Sequence, residues 1–195
     1  MKYHLQRPFF APSLLALCLV FAVNLSGASE NRTSAEWSFD QDNNLKGWVT
    51  NGDIVETAVK DGSLSCRTTG DDPILELQSP LEFAASPRQV IEVRLKAEHN
   101  GSAEFYWSNT NQGKYGGFSG DKRTEFQVVG DGQWHLYRLL PFWQTEGKII
   151  RLRFDLFGGS RFSIDFIRIT EWPGAPLAEK PVFDFTQGLA HWTSL

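Results

Sequence analysis

The stretch Val90-Ile91-Glu92-Val93-Arg94-Leu95-Lys96-Ala97 sets the terms on which this chain can fold. Ile91, Val93, Leu95 and Ala97 fall on one side of an extended backbone, and Glu92, Arg94 and Lys96 on the other. That is the period of a β-strand with one face buried, and a helix would scatter the same residues around its circumference. Shorter runs repeat the rhythm at Ile54 to Val59, Ser63 to Arg67, Ala103 to Ser108, Glu125 to Val129, Trp134 to Leu140, Ile149 to Phe157 and Arg161 to Ile169. Turn residues separate them. Lys60-Asp61-Gly62 marks a hairpin, because Asp-Gly takes up positive φ at low cost, and Gly130-Asp131-Gly132 and Gly158-Gly159-Ser160 supply further tight turns. No window sustains a helical stripe. Eight or nine short strands over residues 36–172 predict an all-β fold, two antiparallel sheets packed as a jelly-roll sandwich. With 41% hydrophobic and 13% aromatic residues, a domain of this size can bury enough apolar surface to stand without cross-links.

The flanks read differently. Residues 1–28 have the parts of a secretory signal: Lys2, His4 and Arg7, an apolar run from Phe9 to Val23, then Ser26-Gly27-Ala28 as a small-residue exit. Cys18 lies in the middle of that run, where a lipoprotein cysteine would not. Export to a secreted or periplasmic location follows, with no membrane attachment after cleavage. Cleavage removes Lys2 and Arg7 and no acid, leaving 17 basic residues against 23 acidic. An acidic domain without a basic stripe is a poor partner for phosphate backbones, so nucleic acid is excluded. Cys66 then stands alone, a small hydrophobe in a strand. Residues 173–181, opening Pro173-Gly174-Ala175-Pro176, form a linker. Beyond it Phe183-Asp184, Leu189 and Trp192 repeat Phe39-Asp40, Leu45 and Trp48 at the same internal spacing, so 182–195 reads as the start of a second, similar module that the chain cuts short. The alternative is a last edge strand of the first sandwich.

Several motifs in order carry a resemblance: Trp37-Ser38-Phe39-Asp40 with Leu45-Lys46-Gly47-Trp48; Thr69-Gly70-Asp71-Asp72-Pro73 before an apolar strand; Phe105-Tyr106-Trp107; Asp131-Gly132-Gln133-Trp134-His135-Leu136-Tyr137; Trp143 with Gly147, Ile149 and Leu152-Arg153-Phe154-Asp155; and Ser163 to Ile169 as a closing strand. Together they resemble the galactose-binding-like jelly-roll carbohydrate-binding modules appended to secreted bacterial polysaccharide-degrading enzymes. The resemblance implies a non-catalytic module that binds a polysaccharide or oligosaccharide and forms part of a longer modular protein; the chain is expected to be a monomer. It also implies a structural calcium ion near the chain ends, for which Asp40 on the first strand and Asp165 on the last are the candidate ligands. Plain surface aspartates are the alternative, and no other cofactor is called for.

Sugars present apolar C–H faces and a rim of hydroxyls, so a site needs exposed rings beside planar hydrogen-bonding groups. Tyr106 shares the outward register with Glu104 and Ser108, unless it packs beneath a loop. Tyr115 lies in the polar, glycine-rich segment Ser108 to Lys122, where Phe118 is either a second recognition ring or a plug. Trp143 is either a platform or a core residue. Arg151, Arg153 and Asp155 share the polar face of one strand, opposite Ile150, Leu152, Phe154 and Leu156. They either grip adjacent hydroxyls or form a salt ladder. On the first reading, Arg153→Ala weakens sugar retention and leaves thermal unfolding nearly unchanged. Trp37, Trp48 and Trp134 read as core. His99, His135 and His191 lack any nucleophilic setting, and no glycine-rich phosphate loop is present. The competing readings are a protein-interaction or adhesion sandwich and a small polysaccharide hydrolase or lyase.

Overall fold

The computed structural model describes residues 32–172. The residues expected to form the export signal with Cys18, the linker and the start of a second module, and His191, lie outside the described residues. Among those described, the chain order is β1 (Arg32–Ser38), β2 (Trp48–Thr50), β3 (Ile54–Lys60), β4 (Ser63–Thr68), β5 (Ile74–Leu77), β6 (Phe83–Ala84), β7 (Gln89–Ala97), β8 (Gly101–Ser108), β9 (Arg123–Val128), β10 (His135–Leu139), β11 (Lys148–Ile149), β12 (Arg151–Asp155) and β13 (Arg161–Glu171). One sheet runs β10-β7-β13-β4-β3, with β1 also paired to β13; the other runs β2-β5-β12-β8-β9; β11 and β6 form a small separate ribbon. Every pairing is antiparallel. The expected all-β, two-layer architecture is the one observed.

The local chemistry explains the elements. Asp61 (φ 52°) and Gly62 (φ 78°) make the β3–β4 turn with two left-handed residues, as a two-residue hairpin of right-twisting strands requires. The longest strand, β13, buries Phe162 and Ile164 and then Ile167 and Ile169. The step from one pair to the next, Ile164 to Ile167, is three residues, so a strict period of two would turn one pair outward. A bulge between Ile164 and Phe166 absorbs the extra residue and keeps all four inside. They meet Leu75, Ala103, Phe105, Leu152 and Phe154 of the second sheet in one continuous core.

Two tryptophan readings resolve here. Trp37 and Trp48 are buried and pack edge to face, their centroids 5.5 Å apart. Trp134 is not core: it is half-buried, with the cations of Arg94 and Lys96 each 5.0 Å from its ring centre. Those two are outward residues of β7, and Trp134 lies over them because it precedes β10, which pairs with β7.

Trp143, one of the candidate platforms, is 1% exposed and belongs to the core. Its ring meets Trp107 and Phe83 edge to face, and its indole N–H donates to Gln89 Oε1 at 2.8 Å. It cannot stack on a ligand. Trp143→Ala therefore removes buried apolar volume and one of the two donors to the Gln89 amide oxygen, the other being the Ser86 N–H, and a loss of about 3–5 kcal/mol is expected in urea unfolding. Burial also pushes the Cys66 thiol up to about 12. In a Cys18→Ser variant, a thiol reagent at pH 8 is expected to leave the folded protein unlabelled and to label it once urea unfolds it.

Candidate functional site

The outer face of the second sheet is built by register. Glu76 of β5, Arg153 of β12, Tyr106 of β8 and Arg123 of β9 stand side by side across four strands, and in the next row Ile74, Asp155, Glu104 and Glu125 do the same. Side chains two apart on a strand share a face, so inward Leu152 and Phe154 oblige Arg151, Arg153 and Asp155 to point outward.

Those three do not stand free. Arg153 donates from Nε and one Nη to the two oxygens of Asp155, the first bond being 2.7 Å. Its guanidinium lies 4.4 Å from the Tyr106 ring centre and 5.4 Å from that of Phe118. Arg151 donates to the carbonyl of Gly116 and to Glu76, and its guanidinium lies 4.5 Å from Phe118. Tyr106 donates its hydroxyl to Glu104 Oε2 at 2.7 Å and accepts from Arg123 at 3.1 Å. Burial pushes the Asp155 carboxyl above its ordinary range; Arg153 pulls it back without cancelling the effect, and Asp72 and Glu104 add to the rise. Burial likewise raises the Tyr106 phenol, so it remains a neutral hydrogen-bonding ring.

The segment between β8 and β9 crosses part of this face. Phe118 is 5% exposed, yet it rests on the two guanidiniums outside the sheet and not in the core. It is a plug of the outer face. Ser108, expected outward, is fully buried under the same segment, its Oγ donating to the Thr110 carbonyl. Lys122 ties the far end to Glu146 at 2.6 Å. Gly116 (φ 63°) has no room for a side chain, since a Cβ there would lie 1.7 Å from Arg151 Nη1. Tyr115, just before it, also sits in the left-handed region at φ 58°, and its ring is 67% exposed. A non-glycine residue held in that region stores strain.

Between Tyr106, Tyr115, Phe118, Ile74, Asp72 and Arg153 lies a groove of about 750 Å³. A polar recess of about 310 Å³ adjoins it, sharing Tyr106, Arg153 and Asp72 and adding Asp155 and Glu104. The predicted residues Tyr106, Tyr115, Arg153 and Asp155 are thus brought together. Arg151 holds the loop and borders a separate trough beside Glu76. Sequence reasoning missed Ile74 and Lys114. Ile74 was legible: it alternates with inward Leu75 and Leu77 and so had to be an apolar side chain facing out.

The proposed calcium ligands do not gather. The backbones meet, with Phe39 N–H donating to the Asp165 carbonyl at 3.1 Å. The carboxylates go elsewhere: Asp40 pairs with Lys46 at 3.2 Å, which holds it below its usual range, and Asp165 pairs with Arg94. Among the described residues no three Asp, Glu, His or Cys side chains are grouped so as to hold a metal. Two carboxylates that each turn to a cation instead of to one another fall short of the six or more oxygens that calcium takes.

No protein-family model matches the chain, and no curated protein matches it. Solved structures do. The C-terminal CBM6 of the laminarinase LamC from Zobellia galactanivorans is 15% identical at TM-score 0.46, covering 70% of this chain and 98% of that one. A CBM6 from Cellvibrio mixtus lichenase 5A, solved with cellotriose, is 14% identical at TM-score 0.43, covering 73% and 100%. A CBM29-2 mutant complexed with mannohexaose is 11% identical at TM-score 0.47, covering 72% and 94%.

The geometry also revises the expectation for Arg153. The side chain of Asp155 is 10% exposed and depends on Arg153 for charge compensation. Arg153→Ala leaves a buried carboxylate unpaired, and a loss of about 2–4 kcal/mol in chemical unfolding is expected, in place of a neutral effect.

Proposed function

We propose that the groove over β5, β12 and β8 binds a carbohydrate chain, and that the domain is a non-catalytic binding module. One observation carries this reading: an exposed Tyr115 ring, held in left-handed backbone, and the Tyr106 ring border one open groove with Arg153, whose partner Asp155 lines the polar recess that adjoins it. Rings supply the flat apolar contact that a pyranose face needs. Hydrogen-bonding capacity remains beside them. Arg153 has one Nη with no protein partner among the described residues, and the Asp155 oxygens have lone pairs beyond those Arg153 occupies. The site is a recess with rings at its edge and charge in its floor, which suits a glycan better than a protein partner seeking a flat apolar patch. A hydrolytic role would ask for a carboxyl free to deliver a proton. Both Asp155 oxygens already accept from Arg153, which supports a binding role.

The wider setting belongs to the same proposal. Residues 1–28 export the chain to a secreted or periplasmic location, residues 173–181 link the module onward, and 182–195 open a second copy. The whole serves a polysaccharide-active protein by holding it on its substrate.

Tyr115→Gly separates binding from folding, because glycine accepts φ 58° without strain. In affinity electrophoresis against a panel of soluble polysaccharides and pull-down with insoluble ones, the native protein is expected to be retained by at least one polymer. The variant is expected to lose about tenfold or more of that retention, with a melting temperature unchanged or raised. Undiminished retention by the variant would remove Tyr115 from the site; no retention of the native protein by any polymer would overturn the proposal.

A further inference from the structure

We infer that this groove selects uncharged glycans and turns away those bearing carboxylate or sulfate; the inference rests on the carbohydrate-binding reading and specifies its substrate class. The charges bordering the groove and its polar recess are unequal. Asp71, Asp72, Glu104, Glu125 and Asp155 line them, against Arg153 and Lys114. Of the cations, Arg153 is chelated by Asp155, and neighbouring Arg123 is paired with Glu104 at 3.1 Å. Each already has a carboxylate partner that offsets its charge before a ligand arrives. Lys114 remains, its ammonium 4.6 Å from the Tyr115 ring centre. No cation pairs with Asp71, Asp72 or Glu125 among the described residues, and all three are exposed. Among the described residues the Glu125 side chain accepts only from Ser102 Oγ, and Asp72 is close enough to Arg153 and Asp155 to act on both charges.

A ligand carboxylate entering here would approach three carboxylates that form no ion pair among the described residues, and one lysine without a carboxylate partner among them. Like charges in a recess flanked by protein repel more strongly than in open water. A neutral sugar meets none of that repulsion. Its hydroxyls donate to the same carboxylates that would reject an anion, and each charged acceptor makes a stronger hydrogen bond than a neutral one. The ring contacts serve either ligand equally. Charge is what separates them.

The test uses the full chain and a matched pair of polymers: the neutral polysaccharide best retained from the panel, and the same polymer after oxidation of its primary hydroxyls to carboxylates. In affinity electrophoresis at about 20 mM salt, the oxidised form is expected to retain the protein about tenfold or more weakly than its parent, and at about 0.5 M salt the gap should narrow as screening shortens the reach of the rim charges. A double variant, Asp71→Asn with Glu125→Gln, loses no ion pair among the described residues and should narrow the same ratio at low salt. Equal or stronger retention by the oxidised polymer overturns this inference and leaves the carbohydrate reading standing. So does a gap that neither salt nor the double variant moves, since that marks a steric loss. Retention by no neutral polymer in the panel and by no oxidised one overturns both.

Discussion

Phe154 stacks flat on Phe105, their ring centres 4.2 Å apart and their planes 3° from parallel. The contact lies inside the core, and it fixes the register of β12 against β8. Because side chains alternate, a slip of one residue would put Arg153 and Asp155 into the core and expose Leu152 and Phe154. Burying the guanidinium and carboxylate in that way would cost far more than the strand pairing returns. The apolar face of one five-residue strand therefore determines which polar groups the opposite face presents. Tyr106 follows from the same lock, since it is the direct partner of Arg153.

The loop adds what the sheet cannot. A flat sheet face offers short-range neighbours but no wall. The segment between β8 and β9 supplies one, anchored by the Arg151 bond to Gly116 and by Phe118 lying on two guanidiniums. The Arg151 anchor leaves no space for a Cβ at Gly116. The preceding residue, Tyr115, is in left-handed backbone and lies exposed at the edge of the groove.

What could be read from the chain follows period and turn chemistry. Strong alternation gave β3, β4, β7, β8, β10, β12 and β13 within a few residues, and Asp61-Gly62 gave its hairpin. The three-residue step from Ile164 to Ile167 was visible too, and only a bulge reconciles it with a buried face. The short strands β2, β6 and β11 were not legible, since two or three residues carry no period. Trp134 was misplaced because an indole at a strand entrance can join either face, and two cations over its ring favour the outer one. At the site, alternation identified outward residues but not their partners. Arg153 and Asp155 share a face by spacing alone. That they clasp each other, with Tyr106 and Phe118 against the guanidinium, depends on a loop whose path no local pattern sets. Trp143 illustrates the converse, because Gln89, its hydrogen-bond partner, is 54 residues away in the chain.

The two sheets treat a buried outward carboxylate in opposite ways. Glu92, its side chain 2% exposed, lies on the outer face of the first sheet. Burial pushes its carboxyl up, but Arg138 at 2.7 Å and Arg168 at 2.6 Å together outweigh burial and hold it below its ordinary value. Its two oxygens each meet a cation, and the electrostatic demand is closed within the protein. Asp155 on the second sheet has one arginine, two acidic neighbours and a carboxyl that stays above its ordinary range. Its demand for donors is only partly met. A second arginine here would have quieted the site as it quiets Glu92, and would have filled the groove. The second sheet instead keeps an acceptor beside two rings, at a place that solvent and small donors can reach. A hydroxyl brings such a donor without bringing charge, so the compensation Asp155 lacks and the neutrality the rim favours are met by the same chemical group.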